Sequence, residues 1–223
     1  MPRSCKRKSS APPSPSRVKS FSDSRSVKAK TKDGERIDLF NKYANNGIID
    51  PDGIMVLCKD LEMEHTDVRI LLLAWKLKAA KLGYFTQDEW QKGLKTCKVD
   101  SLRSLKKAVS ELGKEVKEPS QLEDFHSFAF RYHLTEEKQK CIDIETICEL
   151  LNLVLRSQFC LQVDSLIEYL KVQSDYKVIN LDQWVNFLRF CREISFPDLQ
   201  NYDEAQAWPL ILDSFVEWLR EKQ

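Results

Sequence analysis

The sequence predicts an all-α protein whose helices are paired about short strand-forming loops and preceded by a disordered basic tail. Three observations predict it. Apolar residues recur at helical spacing over most of the chain beyond residue 35, most densely in ILLLAW (Ile70–Trp75), which is apolar on every side and marks a central buried helix. One loop-to-helix pattern is repeated four times. Charge is divided: residues 1–33 carry ten Lys/Arg against only Asp23 and Asp33, although the whole chain is +1, so the remainder is net acidic.

The tail comes first. Residues 1–34 hold nine serines, several prolines and almost no large apolar residues, too little to bury for independent folding. The KRK cluster at Lys6–Lys8 fits half of a nuclear address and Ser14-Pro15 a phosphorylation site, and a merely solvated tail fits equally. The expected location is nucleus and cytoplasm. Residues 35–221 read as one helical domain, with helices near 35–45, 51–63, 66–82, 86–97, 100–116, 119–133, 143–157, 160–173, 180–192 and 203–221, Gly83 closing the third of these.

The repeats are IIDPDGI (Ile48–Ile54), YFTQDEW (Tyr84–Trp90), CIDIETI (Cys141–Ile147) and VINLDQW (Val178–Trp184). Each has two apolar or strand-prone residues, then Asp, Thr or Asn, an acid two positions later, and Ile or Trp after two more. The third residue suits a helix N-cap, accepting from an otherwise unpaired N–H. Thr86 with Glu89 and Asn180 with Gln183 read as capping boxes. The seventh residue begins the buried face. The caps fall at 50, 86, 143 and 180, so spacings of 36 and 37 residues group the repeats in two pairs. That spacing is EF-hand-like, yet the loops lack ligands. With Gly83 at the sharp turn, Lys78, Ala80 and Leu82 fall where a hard cation needs oxygens. The reading is EF-hand-like helical pairs without calcium, and no metal or other cofactor.

Several functions are excluded or left without support. There is no GxxxxGK[ST] or GxGxxG phosphate loop, and His65, His126 and His133 stand in no HExxH or paired-cysteine setting. Seven cysteines without a CxxC read as reduced thiols, mostly buried as small hydrophobes. A cysteine enzyme has no local signature here, and no catalytic residue is assigned. No apolar run approaches the roughly 20 residues of a membrane span, and Met1-Pro2 lacks the glycine that myristoylation requires. A soluble protein with neither membrane nor nucleic acid as partner is expected.

Binding remains. Phe125, Phe128, Ala129 and Tyr132 form a helical stripe that reads as core. In NYDEAQAWPLILDSFVEW (Asn201–Trp218), Asp203, Glu204, Asp213 and Glu217 form either a solvated face or an acidic patch for a basic partner, with Trp208 and Trp218 as packing anchors. A calcium-responsive sensor and a nuclear adaptor are the alternatives from composition and repeats.

This C-terminal segment, with LDQW (Leu181–Trp184), AWK (Ala74–Lys76) and EPSQLEDF (Glu118–Phe125), closely resembles the DCN-like family, defective in cullin neddylation, over about residues 35–221. The resemblance implies an all-helical domain of calcium-free EF-hand-like units acting as a non-catalytic, scaffold-type E3 component. Such a component holds a cullin's C-terminal winged-helix region beside the neddylation E2, the cullin's RING partner being engaged indirectly. It implies a cullin-binding patch of Asp182, Ala207 and Asp213. It also implies a pocket for the acetylated N-terminal methionine of the E2, formed by Ile54, Ile70, Leu71, Leu73, Phe85 and Tyr132. Gly83 and Tyr132 depart from the cysteine and phenylalanine that several relatives carry.

Overall fold

The computed structural model describes residues 23–222. Among them run α1 (Asp23–Asn41), β1 (Ile48–Ile49), α2 (Pro51–Asp60), α3 (Val68–Leu77), β2 (Phe85–Thr86), α4 (Gln87–Thr96), α5 (Leu102–Glu115) and α6 (Pro119–Tyr132). They are followed by β3 (Cys141–Asp143), α7 (Ile144–Val154), α8 (Cys160–Val172), β4 (Val178–Asn180), α9 (Leu181–Glu193) and α10 (Leu210–Glu221). None of these helices is long and apolar enough to cross a membrane.

The four repeats build the frame. Their third residues are all N-caps: Asp50 accepts from Gly53 N–H at 2.9 Å, Thr86 from Glu89, Asp143 from Thr146 and Asn180 from Gln183. Both expected capping boxes close, at Thr86/Glu89 and Asn180/Gln183. The seventh residues, Ile54, Trp90, Ile147 and Trp184, are all buried. The strands pair as the spacing suggests. Ile48 lies opposite Thr86 and Ile49 opposite Phe85, while Cys141, Ile142 and Asp143 lie opposite Asn180, Ile179 and Val178, both ladders antiparallel.

Each half packs on its tryptophan. Trp90 sits between Phe40 and Phe85 and donates its indole N–H to the Arg36 carbonyl at 3.3 Å. Trp184 stacks on the His126 ring at 4.2 Å and donates to the His126 carbonyl at 2.9 Å. Helix α6 joins the halves, packing on both α3 and α9. Trp75 reaches from α3 to Asp124 of α6 at 2.8 Å, linking the AWK and EPSQLEDF segments. The Phe125 stripe is core, with only Phe128 partly open. At Gly93 an added Cβ would stand 2.7 Å from the Leu77 Cα, so glycine there permits the close crossing of α3 and α4.

Three boundaries differ from expectation. Helix α1 spans Asp23–Asn41 where a helix near 35–45 was expected; residues 1–22, with Lys6–Lys8 and Ser14, lie outside the described residues. Its anchor is tertiary: the buried Arg36 donates to the Val99 carbonyl at 2.7 Å, and Lys32 pairs with Asp100 at 2.8 Å. Helix α3 ends at Leu77, not at Gly83, because Lys78 takes the left-handed conformation (φ 53°) and Ala79 N–H closes on the Ala74 carbonyl. Helix α10 starts only after Pro209, whose ring disfavours helical backbone in the residue before it.

Candidate partner-binding sites

A cavity of about 330 Å³ opens between α2, α3, the Leu82–Phe85 turn and the end of α6. Ile54, Ile70, Leu71, Phe85 and Tyr132 line it together. Leu73 does not: it is buried in the core, and Ala74 takes the place beside the cavity. At about 100° per residue, Ile70, Ala74 and Leu71 sweep one arc of α3, and Leu73 lies beyond its edge. The six residues Ile70–Trp75 are all apolar, so no polar position among them separates Ala74 from Leu73 in sequence.

The walls are apolar and the rim is self-neutralised. Asp67 caps α3 and binds Arg69 through Nε and Nη2 at 2.9 and 2.6 Å. Gly83, at φ +77°, donates its N–H to the Tyr132 hydroxyl across 3.2 Å, and the Tyr132 ring stacks on Phe128 at 5.1 Å. Burial pushes the Tyr132 phenol up to about 12, so it keeps its proton. His133, against the Ala129 carbonyl at 2.8 Å, is held below the usual histidine range by burial. Met55 stands at the mouth, 56% exposed. Apolar walls with the polar groups gathered at the rim suit a small apolar group better than a charged one.

The second site lies on the other half. Asp182 is exposed in the first turn of α9, accepting from the Asn186 side-chain amide at 3.2 Å. Asp213 is half-buried in the first turn of α10. These turns are neighbours: Gln183, Trp184 and Phe187 share a small cavity with Ile211 and Leu212. Two helix N-termini therefore favour negative charge on one surface. Ala207 is exposed between them in sequence, and Leu210, 75% exposed, opens α10. The support beneath has no signal in the sequence. Tyr202, buried, donates its O–H to Asp213 Oδ1; Trp208 lies against Tyr202 at 5.7 Å; and the Arg189 guanidinium covers Trp208 at 4.2 Å. Arg189 also reaches Gln206 at 3.3 Å and Glu193 at 2.9 Å. Trp208 is thus an internal anchor, and Trp218 is half-buried against Tyr169.

Other chemistry finds little here. Among the described residues no three His, Cys, Asp or Glu side chains converge. In the loop before α4, Glu89 closes the turn itself: Oε1 accepts from Ala80 N–H and Oε2 from Thr86 N–H, each at 2.8 Å. Burial pushes the thiols of Cys58, Cys97, Cys148 and Cys191 up, away from the nucleophilic thiolate.

Among the described residues the mostly helical fold thus carries an apolar cavity beneath α2 and α3 and, at the first turns of α9 and α10, the aspartates Asp182 and Asp213. Residues 104–218 match the family described as cullin binding. Human DCN1-like protein 4 is 38% identical over 188 residues, 84% of this chain and 63% of that protein. Human DCN1-like protein 5 is 36% identical over 185 residues, 82% of this chain and 76% of that protein. Drosophila melanogaster DCN1-like protein 4 is 38% identical over 170 residues, 76% and 67% of the two chains. The chain belongs to the cullin-binding family of DCN1-like proteins. It spans less than two thirds of human DCN1-like protein 4.

Proposed function

We propose that this chain promotes cullin neddylation as a scaffold without catalytic residues of its own. The acidic surface at Asp182, Ala207 and Asp213 receives the C-terminal winged-helix region of a cullin. The cavity under Ile54, Ile70, Leu71, Phe85 and Tyr132 receives the acetylated N-terminal methionine of the neddylation E2. Rate enhancement then comes from proximity: a charged E2 held beside the acceptor lysine reacts at a raised effective concentration.

The observation that carries this reading is that the cullin-binding family match, residues 104–218, contains the whole acidic surface and the strut beneath it. The cavity supports the E2 half, since its 330 Å³ of apolar wall suits a methionine chain, and acetylation removes an amine charge that would be costly to desolvate. The test is a reconstituted reaction with E2 charged with modifier, cullin–RING acceptor, and this chain present or absent. Faster cullin modification with no modifier thioester on this chain is expected. An unchanged rate at saturating chain overturns the proposal.

A further inference from the structure

We propose that Tyr202 is the positioning residue of the acidic surface: its hydroxyl pins the Asp213 carboxylate in the orientation a basic partner meets. The inference rests on the partner-binding reading of that surface.

Tyr202 is built to hold one atom still. Its side chain is buried, and its backbone N–H is tied to the Leu199 carbonyl at 3.1 Å. Its ring packs against Trp208 with 22° between planes and meets Phe190 at 6.0 Å, while the Arg220 guanidinium stands 5.9 Å from it. Arg220 is itself held by Glu204 at 2.6 Å. The ring therefore has little freedom, and its single O–H points at Asp213 Oδ1. Burial, reinforced by Asp213, pushes the phenol well above its ordinary value, so the hydroxyl remains a donor throughout the neutral range.

The carboxylate gains from this. A hydrogen bond to an ionised group is among the stronger ones, and here it fixes Oδ1 of a half-buried carboxylate. An unpinned surface aspartate samples several rotamers and must be ordered when a partner arrives, a cost that a pinned one has already met on folding. The strut also joins Asp213 to the turn that presents Ala207, because the Trp208 ring packed on Tyr202 belongs to the next residue.

The test measures binding of the full chain to an immobilised cullin–RING complex, with binding of an acetylated E2 peptide as a control at the other site. Tyr202→Phe keeps the stacked ring and deletes only the donor, and is expected to weaken cullin binding about five- to tenfold, the scale of one ordinary hydrogen bond. Asp213→Ala should weaken it further, and the double variant Tyr202→Phe/Asp213→Ala should bind no worse than Asp213→Ala alone. Asp213→Asn, which still accepts from the phenol, separates loss of charge from loss of placement and should bind better than Asp213→Ala. If Tyr202→Phe binds like the parent while Asp213→Ala does not, Tyr202 holds nothing that matters and the inference fails with the surface reading intact. It fails in the same way if the Tyr202→Phe loss is carried in full on the Asp213→Ala background. If Asp213→Ala itself binds like the parent, the surface reading fails, and the inference with it.

Discussion

Gly83 and Tyr132 are joined across the mouth of the apolar cavity, the glycine N–H donating to the phenol oxygen at 3.2 Å. The bond ties the turn before β2 to the last residue of α6, two parts of the cavity wall. Tyr132→Phe leaves that N–H without its partner and should cost about 1 kcal/mol in denaturant unfolding. Gly83→Ala should cost about 1–2 kcal/mol from the positive φ alone, since its Cβ would meet only the Pro51 ring at an ordinary 3.7 Å.

The cavity reading predicts a preference for acylated chain ends. An acetylated E2 N-terminal peptide should bind clearly better than its free-amine counterpart in calorimetry. Met55→Glu, which places charge at the exposed mouth, should lower that affinity while unfolding stays within about 0.5 kcal/mol of the parent, as for most surface changes. Equal affinity for the two peptides would remove the methionine assignment and leave the acidic surface untouched.

On the acidic surface, the combined change Asp182→Ala, Ala207→Arg, Asp213→Lys should abolish cullin capture. The contributions to stability differ. Asp182 and Ala207 are exposed and should be nearly neutral, whereas Asp213→Lys strands the buried Tyr202 hydroxyl and should cost about 1–3 kcal/mol. Parent binding should weaken with added salt, because the rim charges are screened. Unchanged capture by the triple variant would make the patch an ordinary solvated face.

His126 predicts an acid limit on stability. Its ring is fully buried, its nitrogens have no hydrogen-bond partner among the described residues, and burial, with Arg192 nearby, lowers its pKa from 6.5 to about 3. The unfolded chain therefore binds a proton that the folded one refuses. Stability is fully present above about pH 6.5 and falls as pH drops toward 3, with a slope of up to about 1.4 kcal/mol per unit from this group. His126→Phe should remove that slope and be neutral or stabilising at pH 7, measured by denaturant unfolding at several pH values. An unchanged slope would assign the acid sensitivity to the carboxylates.

Calcium should do nothing. Lys78, Ala80 and Leu82 offer the loop before α4 no side-chain oxygens, and Glu89 has spent both of its own on Ala80 and Thr86. Titration calorimetry with millimolar calcium should be silent and chelator should leave the unfolding temperature unchanged. Micromolar heats would restore the sensor alternative.

What was legible in the sequence was what short-range chemistry decides. A cap residue and the N–H it accepts lie within three positions of each other, so all four helix starts at 50, 86, 143 and 180 could be read, with the buried residue that follows each. What was not legible depends on distant contacts. Lys78 is the local exception: Ala79 N–H closes back on the Ala74 carbonyl five residues earlier, and no residue type there marks a lysine for the left-handed place. Leu73 and Ala74 exchange roles because, within the all-apolar stretch Ile70–Trp75, which side chain meets the cavity is set by the neighbouring elements. Tyr202 is eleven residues from Asp213 across an irregular turn, so no periodicity connects them. The acidic patch and the cavity as functional sites came from family resemblance; the spacing of residues alone supplied neither.

Helix α6 carries Tyr132 at its last position and His126, stacked on Trp184, in its middle. Six residues of helix are about 9 Å, and Trp184 lies two residues beyond Asp182. One rigid strut thus runs from the cavity to the foot of the acidic surface. On the scaffold reading, the molecule behaves as a jig, fixing not only whether two partners are held but the angle at which they face each other. Loosening the His126–Trp184 joint should then spoil alignment without spoiling grip: each partner would still be held at its usual strength, and transfer would slow.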